Sequence, residues 1–522
     1  RCYADAKYSI EYRCFNGSPD FEHTQDGGGN VLEMAKKDVP AYPGYRLWVS
    51  AYRQLPVIRM NIVVGHSIHS ANFYGRRPGV VYKNQPASKF VEDELISISI
   101  AREANTGSFV GRKVASYVKQ LYEYSSNYHP DSVASEFYYA LRFDRFLDLR
   151  ANTDLDYIKN FSSRWAGSPG FFYTLTSFLQ MNHRRGRIVL LSSRFGPDMK
   201  SLMSKYDLGY MVALSDSGNL FMGVTDVFSP AFHIPYYYEN TPDAIRVDNK
   251  GRQKIILVPG TDSEQNSRTE KLVISPSLSS GALQVKRTST LTGHYKSGVQ
   301  QDLVLFEDYY EHERKLLGIK KTLLEDFEDT RRTKNYGDEL KAAFAEARKN
   351  QKDAFEKEAK TWFATEINDL TDHTVVNLGV RHNSPDFIYS SSFSIPGLVK
   401  KAGNNFTIDV GRMLGAPIKI EESQRKRTLN VYAPYASSVH HRISIEIPAG
   451  YTAEGIASLN RKVENETGAF IAEAFTDGKT VTINVSRIFR HATEPSANWD
   501  KMLAFIDASV EWSNAKLLLK KQ

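Results

Sequence analysis

The chain has 522 residues, which at roughly 100–200 residues per domain is room for about three or four domains, each with its own core. Hydrophobic residues make up 41%, charged residues 24% and aromatic residues 12%, with 33 Gly and 20 Pro, which excludes a disordered, collagenous or low-complexity chain. Both cysteines, Cys2 and Cys14, lie at the start, which excludes a disulfide framework or a cysteine zinc site further along; the net charge of +7 is too small to mark a nucleic-acid partner.

Residues 1–108 read as a β-rich N-terminal domain. Tyr8 to Phe15 alternates with period two, Ile58 to Val64 is a second strand, and Gly27-Gly28-Gly29 is a loop without the following helix that a phosphate-binding loop needs. The opening Arg1-Cys2-Tyr3-Ala4-Asp5 has no basic or apolar signal region and reads as sequence from within a longer protein, so the domain is expected to be truncated. From about Gly111 the period becomes helical. Val114, Val118, Leu121 and Tyr122 mark one helix; Asp131-Ser132 caps a second carrying Phe137, Leu141, Phe146 and Leu147; Thr153 to Trp165 fits a third. Ala166-Gly167-Ser168-Pro169-Gly170 then breaks the chain before an apolar helix from Phe171 to Leu179, with Ser168 as its N-cap and Pro169 at its first position. A buried strand, Ile188 to Ser193, and a hairpin, Tyr210 to Leu214 against Leu220 to Val224 across Asp216-Ser217-Gly218-Asn219, make residues 109–262 an α+β unit.

Strands return over 263–306, including Leu283 to Arg287, and belong with a C-terminal β domain. Residues 307–372 read as a charged helical insertion, a helix pair joined near Asn335-Tyr336-Gly337 whose apolar faces carry Leu316, Leu323, Phe344, Phe355, Trp362 and Phe363. Residues 373–522 carry the alternation of a β-sandwich, with strands at Arg427–Tyr432, His441–Ile447, Ala469–Ala474 and Thr480–Val485 and a closing helix from Trp499 to Ser509.

Metal and cofactor chemistry find no motif. There is no helix with two His at i, i+4, no P-loop and no dinucleotide fingerprint; His440-His441 opens a strand, where neighbours point to opposite faces. Asp326, Glu328 and Asp329 form a solvated helical face, the basic clusters His183 to Arg187 and Arg425 to Arg427 read as loops, and no apolar run approaches the ~18–20 residues of a membrane span. No cofactor, metal, nucleic-acid partner or transmembrane segment is expected.

Trp165 to Arg194, continuing from Tyr210 to Pro235, resembles the transglutaminase-like, papain-like core found in secreted proteins of Gram-negative bacteria. The matching pieces are Ala166-Gly167-Ser168, the helix to Leu179, Ile188-Val189-Leu190-Leu191-Ser192-Ser193-Arg194, Gly223-Val224-Thr225-Asp226 and His233-Ile234-Pro235. Residues 1 to about 105, Leu283 to Glu307 and Arg427 to Leu519 resemble the β domains that flank that core. The resemblance implies an α+β multidomain fold with the core between two β domains, and a location in the periplasm or at the outer membrane. The family's Cys falls on Ser168 or Pro169, its His on Gly209 or Tyr210 and its Asp on Gly223, so none of the three is present. A serine without a base stays protonated and is a poor nucleophile.

The expectation is therefore a non-catalytic protein whose core binds a peptide, protein or glycan, with Trp165, Ser168, Tyr210, Asp226 and His233 lining the old cleft. Two alternatives come from other classes. Gly167-Ser168-Pro169-Gly170 lies close to the G-x-S-x-G elbow, so Ser168 with His183 or His233 as base would give a serine hydrolase or acyltransferase. Docking through residues 307–372 would give a structural subunit of an envelope assembly.

Overall fold

The structure is a computed structural model that describes residues 1–39, 41–42, 46–64, 77–84, 91–97, 112–124, 130–147, 169–181, 186–214, 220–248, 250–328 and 334–522. The chain is a mixed α+β multidomain protein with several separate sheets. Near the N-terminus, β1 (Cys2–Asp5), β3 (Glu22–Asp26) and β4 (Gly29–Glu33) form one sheet around β4, and β5 (Val57–Val64) and β6 (Val81–Lys83) flank β2 (Tyr8–Phe15) in another. The alternation of β2 sends Ile10, Tyr12 and Cys14 into a small core and Arg13 the other way, to the Lys200 carbonyl. Both thiols are free and half-buried, and they belong to this N-terminal layer.

The next unit packs three helices on an antiparallel sheet. Helix α1 is Arg112–Tyr124, α2 is Pro130–Arg142 followed by a π-helical turn at Phe143–Leu147, and α3 is Pro169–Met181. Asp131 lies in the first turn of α2 rather than capping it, because Pro130 already occupies a helical position. The sheet runs in the order β11 (Gln253–Ile256), β10 (Ala244–Val247), β7 (Arg187–Leu191), β8 (Gly209–Ala213), β9 (Phe221–Met222). Phe171 to Leu179 is buried on every side of α3, and Phe178 stacks on Phe137 of α2 with centroids 3.5 Å apart. The expected helix Thr153 to Trp165, the hairpin turn 216–219 and His183 lie outside the described residues.

Beyond Val258 the chain builds an eight-stranded sheet. Its order is β14 (Asn368–Leu378), β15 (Phe387–Ile395), β13 (Ala282–Leu291), β12 (Ser267–Ser277), β19 (Ser437–Glu446), β23 (Thr480–Phe489), β22 (Gly468–Thr476), β21 (Arg461–Asn465). All neighbours are antiparallel except β12 and β19. A smaller sheet of β16 (Val399–Ala402), β17 (Asn405–Ile408), β25 (Leu517–Lys521) and β20 (Tyr451–Glu454) shares its hydrophobic core. Between β13 and β14 run helices α4 (Lys296–Leu303), α5 (Phe306–Leu316), α6 (Leu323–Glu328) and α7 (Lys334–Phe363); α8 (Trp499–Trp512) packs on β21 and β22.

Three expectations are corrected here. Asn335, Tyr336 and Gly337 lie inside α7 and join no helix pair, the break within the described residues being 317–322: one glycine costs about 1 kcal/mol in a helix, which the burial of Leu340, Phe344, Phe355 and Phe363 exceeds. The helical segment ends before residue 372, since β14 begins at Asn368. The strand expected from Arg427 shrinks to β18 (Val431–Tyr432), paired with β24 (Thr493–Glu494), because Arg427 turns aside to donate to the carbonyls of Leu47, Trp48, Leu429 and Asn430.

The inward face of β12 and β13 carries charge where alternation alone predicts apolar side chains. Arg268 Nε donates to Glu270 Oε1 at 2.6 Å, Arg287 Nε to Glu270 Oε2 at 2.8 Å, and both guanidinium groups reach Glu358 of α7 at 2.6 and 2.8 Å. The Trp362 ring lies 3.4 Å from the Arg268 guanidinium. A second buried set joins α2 to α5: Arg142 Nη2 donates to Glu313 Oε2 at 2.8 Å, Arg142 Nη1 to the carbonyls of Ser229 and Val380 at 2.7 Å, and Arg381 adds to Glu313 at 3.1 Å.

Candidate functional site

The positions onto which the resemblance carries a Cys, a His and an Asp are 168 or 169, 209 or 210, and 223. Pro169 opens α3, and Ser168 and Trp165 lie outside the described residues. Gly209 is the first residue of β8, and a Cβ added there would fall inside the Tyr238 phenol. Tyr210 is buried under α3 with Tyr173, their rings edge-to-face at 6.3 Å, and Tyr173 donates to the Glu94 carboxylate. Burial pushes the phenols of Tyr173, Tyr210 and Tyr238 far up, so all three stay protonated donors. At Gly223 a Cβ would lie 2.5 Å from Pro235 Cδ and 3.1 Å from the His233 carbonyl, to which the Gly223 N–H already donates at 2.6 Å. Neither glycine has room for a His or Asp side chain.

A cavity of about 720 Å³ opens along the seam between the core and the large sheet. It is built from four separated segments: the loop after β9 (225–236), the approach to β12 (259–266), the end of β13 running into α4 (292–300), and the β14–β15 connection (382–386). His233 Nε2 and Thr225 Oγ1 are 2.8 Å apart, and the rings of His233 and His294 meet edge-to-face at 5.4 Å. His294 Nε2 lies 2.8 Å from Oε1 of the fully buried Glu239, which also accepts the Thr261 hydroxyl. Asp226 accepts from the Ser297 hydroxyl and, at 2.9 Å, from the Phe228 N–H. Lys296 is buried, with Nζ donating to the carbonyls of Gly379 and Pro385 at 2.8 Å each.

Burial lowers the Lys296 ammonium to about 8 against the pull of Asp226 and Asp386. Burial, with His294 and Lys296 nearby, takes His233 well below its ordinary value, so its ring is neutral at pH 7. His382 is likewise lowered by burial; its Nδ1 lies 2.8 Å from the Tyr139 hydroxyl and its ring 5.0 Å from that of Phe232. Among the described residues no group of three or more His, Cys, Asp or Glu stands close enough to hold a metal ion, and no helix is long and apolar enough to cross a membrane.

Of the residues read as a cleft lining, the structure brings Asp226 and His233 into this one cavity. Tyr210 is corrected: it faces the core under α3 instead, because β8 alternates and its neighbours Gly209 and Met211 take the opposite face. His294, Lys296, Ser297, His382 and Asp386 were missed. They come from turns that carry no motif, and the available signal was the dense Tyr236-Tyr237-Tyr238 run beside His233, an unusual load of aromatic side chains on a loop.

Residues 412–519 match a family model described as a domain of unknown function with a solved structure, DUF3858. No curated protein matches the chain. Among solved structures the chain is similar to one described as a "putative protease" from Parabacteroides distasonis ATCC 8503, with 7% sequence identity and a TM-score of 0.42 over 98% of this chain and 70% of that one.

Proposed function

We propose that this is a catalytically silent transglutaminase-like protein of the bacterial cell envelope, its core kept as a binding module for a peptide, protein or glycan between flanking β domains. The observation that carries the reading is the Tyr238 phenol standing where a side chain at position 209 would go. Supporting it, the chain has only two cysteines, both in the N-terminal layer, and His233, the described candidate base, is engaged with Thr225. The cavity at the seam has the size of a small-ligand site and mixes aromatic walls with a few fixed polar groups. Docking through 307–372 is less favoured, since α7 spends Phe355, Glu358 and Phe363 on its own sheet.

The test is titration calorimetry of the intact chain with short peptides and oligosaccharides, beside a Pro259→Trp variant that fills the cavity rim. Binding that Pro259→Trp weakens tenfold or more is the expected outcome. Binding that is indifferent to Pro259→Trp, or no binding to either class, would contradict the reading.

A further inference from the structure

The cavity is acidic on a basic chain. The chain carries a net charge of +7, yet the residues lining the cavity include three carboxylates, Asp226, Glu264 and Asp386, against one ammonium, Lys296, and no arginine. The one ammonium is buried, donates to two carbonyls and is drawn by both Asp226 and Asp386. Asp226 is likewise satisfied, by Ser297 and the Phe228 N–H, and Glu264 lies 3.3 Å from His440 at the rim. Asp386 is different. Its half-buried carboxylate lies on the wall beside Pro385 and feels the Lys296 ammonium, but accepts no hydrogen bond among the described residues.

Two further features stand at or behind the same wall. Behind that wall Glu239 is fully buried, its Oε1 held by the cavity residues Thr261 and His294 and its charge opposed by Arg194, while its Oε2 accepts no hydrogen bond among the described residues. Phe232 adopts φ 64, a left-handed backbone that an aromatic residue rarely takes, and that conformation sets its ring against His382 at the cavity. With Tyr236 it gives the acidic wall aromatic faces, and a cation is the group that gains from carboxylates and from aromatic faces together.

We propose that the cavity selects peptides through a basic side chain, a lysine ammonium or arginine guanidinium placed at Asp386 between Phe232 and Tyr236. This rests on the binding reading above and names its ligand class. No covalent step is involved. The ligand's cation supplies the donor that Asp386 lacks, and the negative field of the three carboxylates draws it in at low salt.

The experiment uses the intact chain and two blocked pentapeptides, alanine throughout except for a central lysine or a central norleucine, titrated by calorimetry at low and high salt and repeated with Asp386→Asn. Asp386 attracts the buried Lys296 ammonium without accepting a hydrogen bond among the described residues, so the unfolding temperature of Asp386→Asn is measured first and binding is compared where parent and variant are both folded. The lysine peptide is expected to bind about tenfold more tightly than the norleucine peptide, with most of that advantage lost at high salt and in Asp386→Asn. Equal binding of the two peptides, or an advantage untouched by Asp386→Asn, would overturn the charge selection while leaving a binding cavity in place. Tighter binding of a neutral oligosaccharide than of the lysine peptide would overturn it in favour of a glycan ligand. Failure of every probe to bind would overturn this inference and the binding reading together.

Discussion

The phenol of Tyr238 occupies the space that a side chain on Gly209 would need. Gly209 begins β8, opposite Leu191 of β7, and its backbone is extended, so a close approach rather than a turn is what requires glycine there. Gly209→Ala is expected to destabilise the fold by about 2 kcal/mol through overpacking. In a Tyr238→Ala background the same substitution should cost under about 0.5 kcal/mol, because the clashing ring is gone. Urea unfolding of the four proteins measures the coupling; equal costs in both backgrounds would show that Tyr238 does not fill the site.

The second prediction concerns acid. Burial alone would raise the Glu270 carboxyl, but Arg287 and Arg268 outweigh it and hold it at about 2, against an ordinary 4.5. Glu358 is lowered in the same way, burial being outweighed by the same two arginines. A carboxyl depressed in the fold contributes stability above its ordinary value and loses it as the pH falls through its folded value. For Glu270 that is about 3 kcal/mol lost between roughly pH 4.5 and 2. Urea midpoints measured down this range should fall steeply in the parent and less steeply in Glu270→Gln. At pH 7 Glu270→Gln should be less stable by about 3–5 kcal/mol, since it leaves two buried guanidinium groups short of a partner.

Arg142 ties the core to the C-terminal half. It is fully buried and spans α2, Glu313 of α5, the Ser229 carbonyl beside the cavity and the Val380 carbonyl after β14. Arg142→Met strips donors from both carbonyls and leaves Glu313 with Arg381, so a loss of about 3–5 kcal/mol is expected. If the 225–236 loop is held in shape by this residue, peptide affinity should fall as well, at temperatures where the variant remains folded. Thermal unfolding and titration on one sample check both; parental stability would show that the Arg142 contacts are dispensable.

Much of the fold was legible because local pattern and tertiary burial agree. β2 spans Tyr8–Phe15, the run that alternates in sequence, and α3 starts at Pro169, where proline's missing N–H is harmless. Legibility failed where tertiary contacts override the local signal. Asn335 and Gly337 look like a turn, but Leu340, Phe344 and Phe355 bury one face of a helix that runs through both. Arg268, Glu270 and Arg287 occupy inward strand positions, and only the arrival of Glu358, some seventy residues later, makes their burial tolerable. The cavity was half-visible: Asp226 and His233 lie on one loop of the resembled core, whereas His294, Lys296 and Asp386 reach it from segments that become neighbours only through sheet pairing.

The catalytically silent reading proposed above requires that Ser168 do no chemistry. Its most direct test is mass-spectrometric turnover of a peptide library, with and without an added amine acceptor, by the intact chain and by Ser168→Ala. No cleavage or acyl transfer that depends on Ser168 is expected. Turnover that disappears in Ser168→Ala while the variant stays folded would contradict the reading.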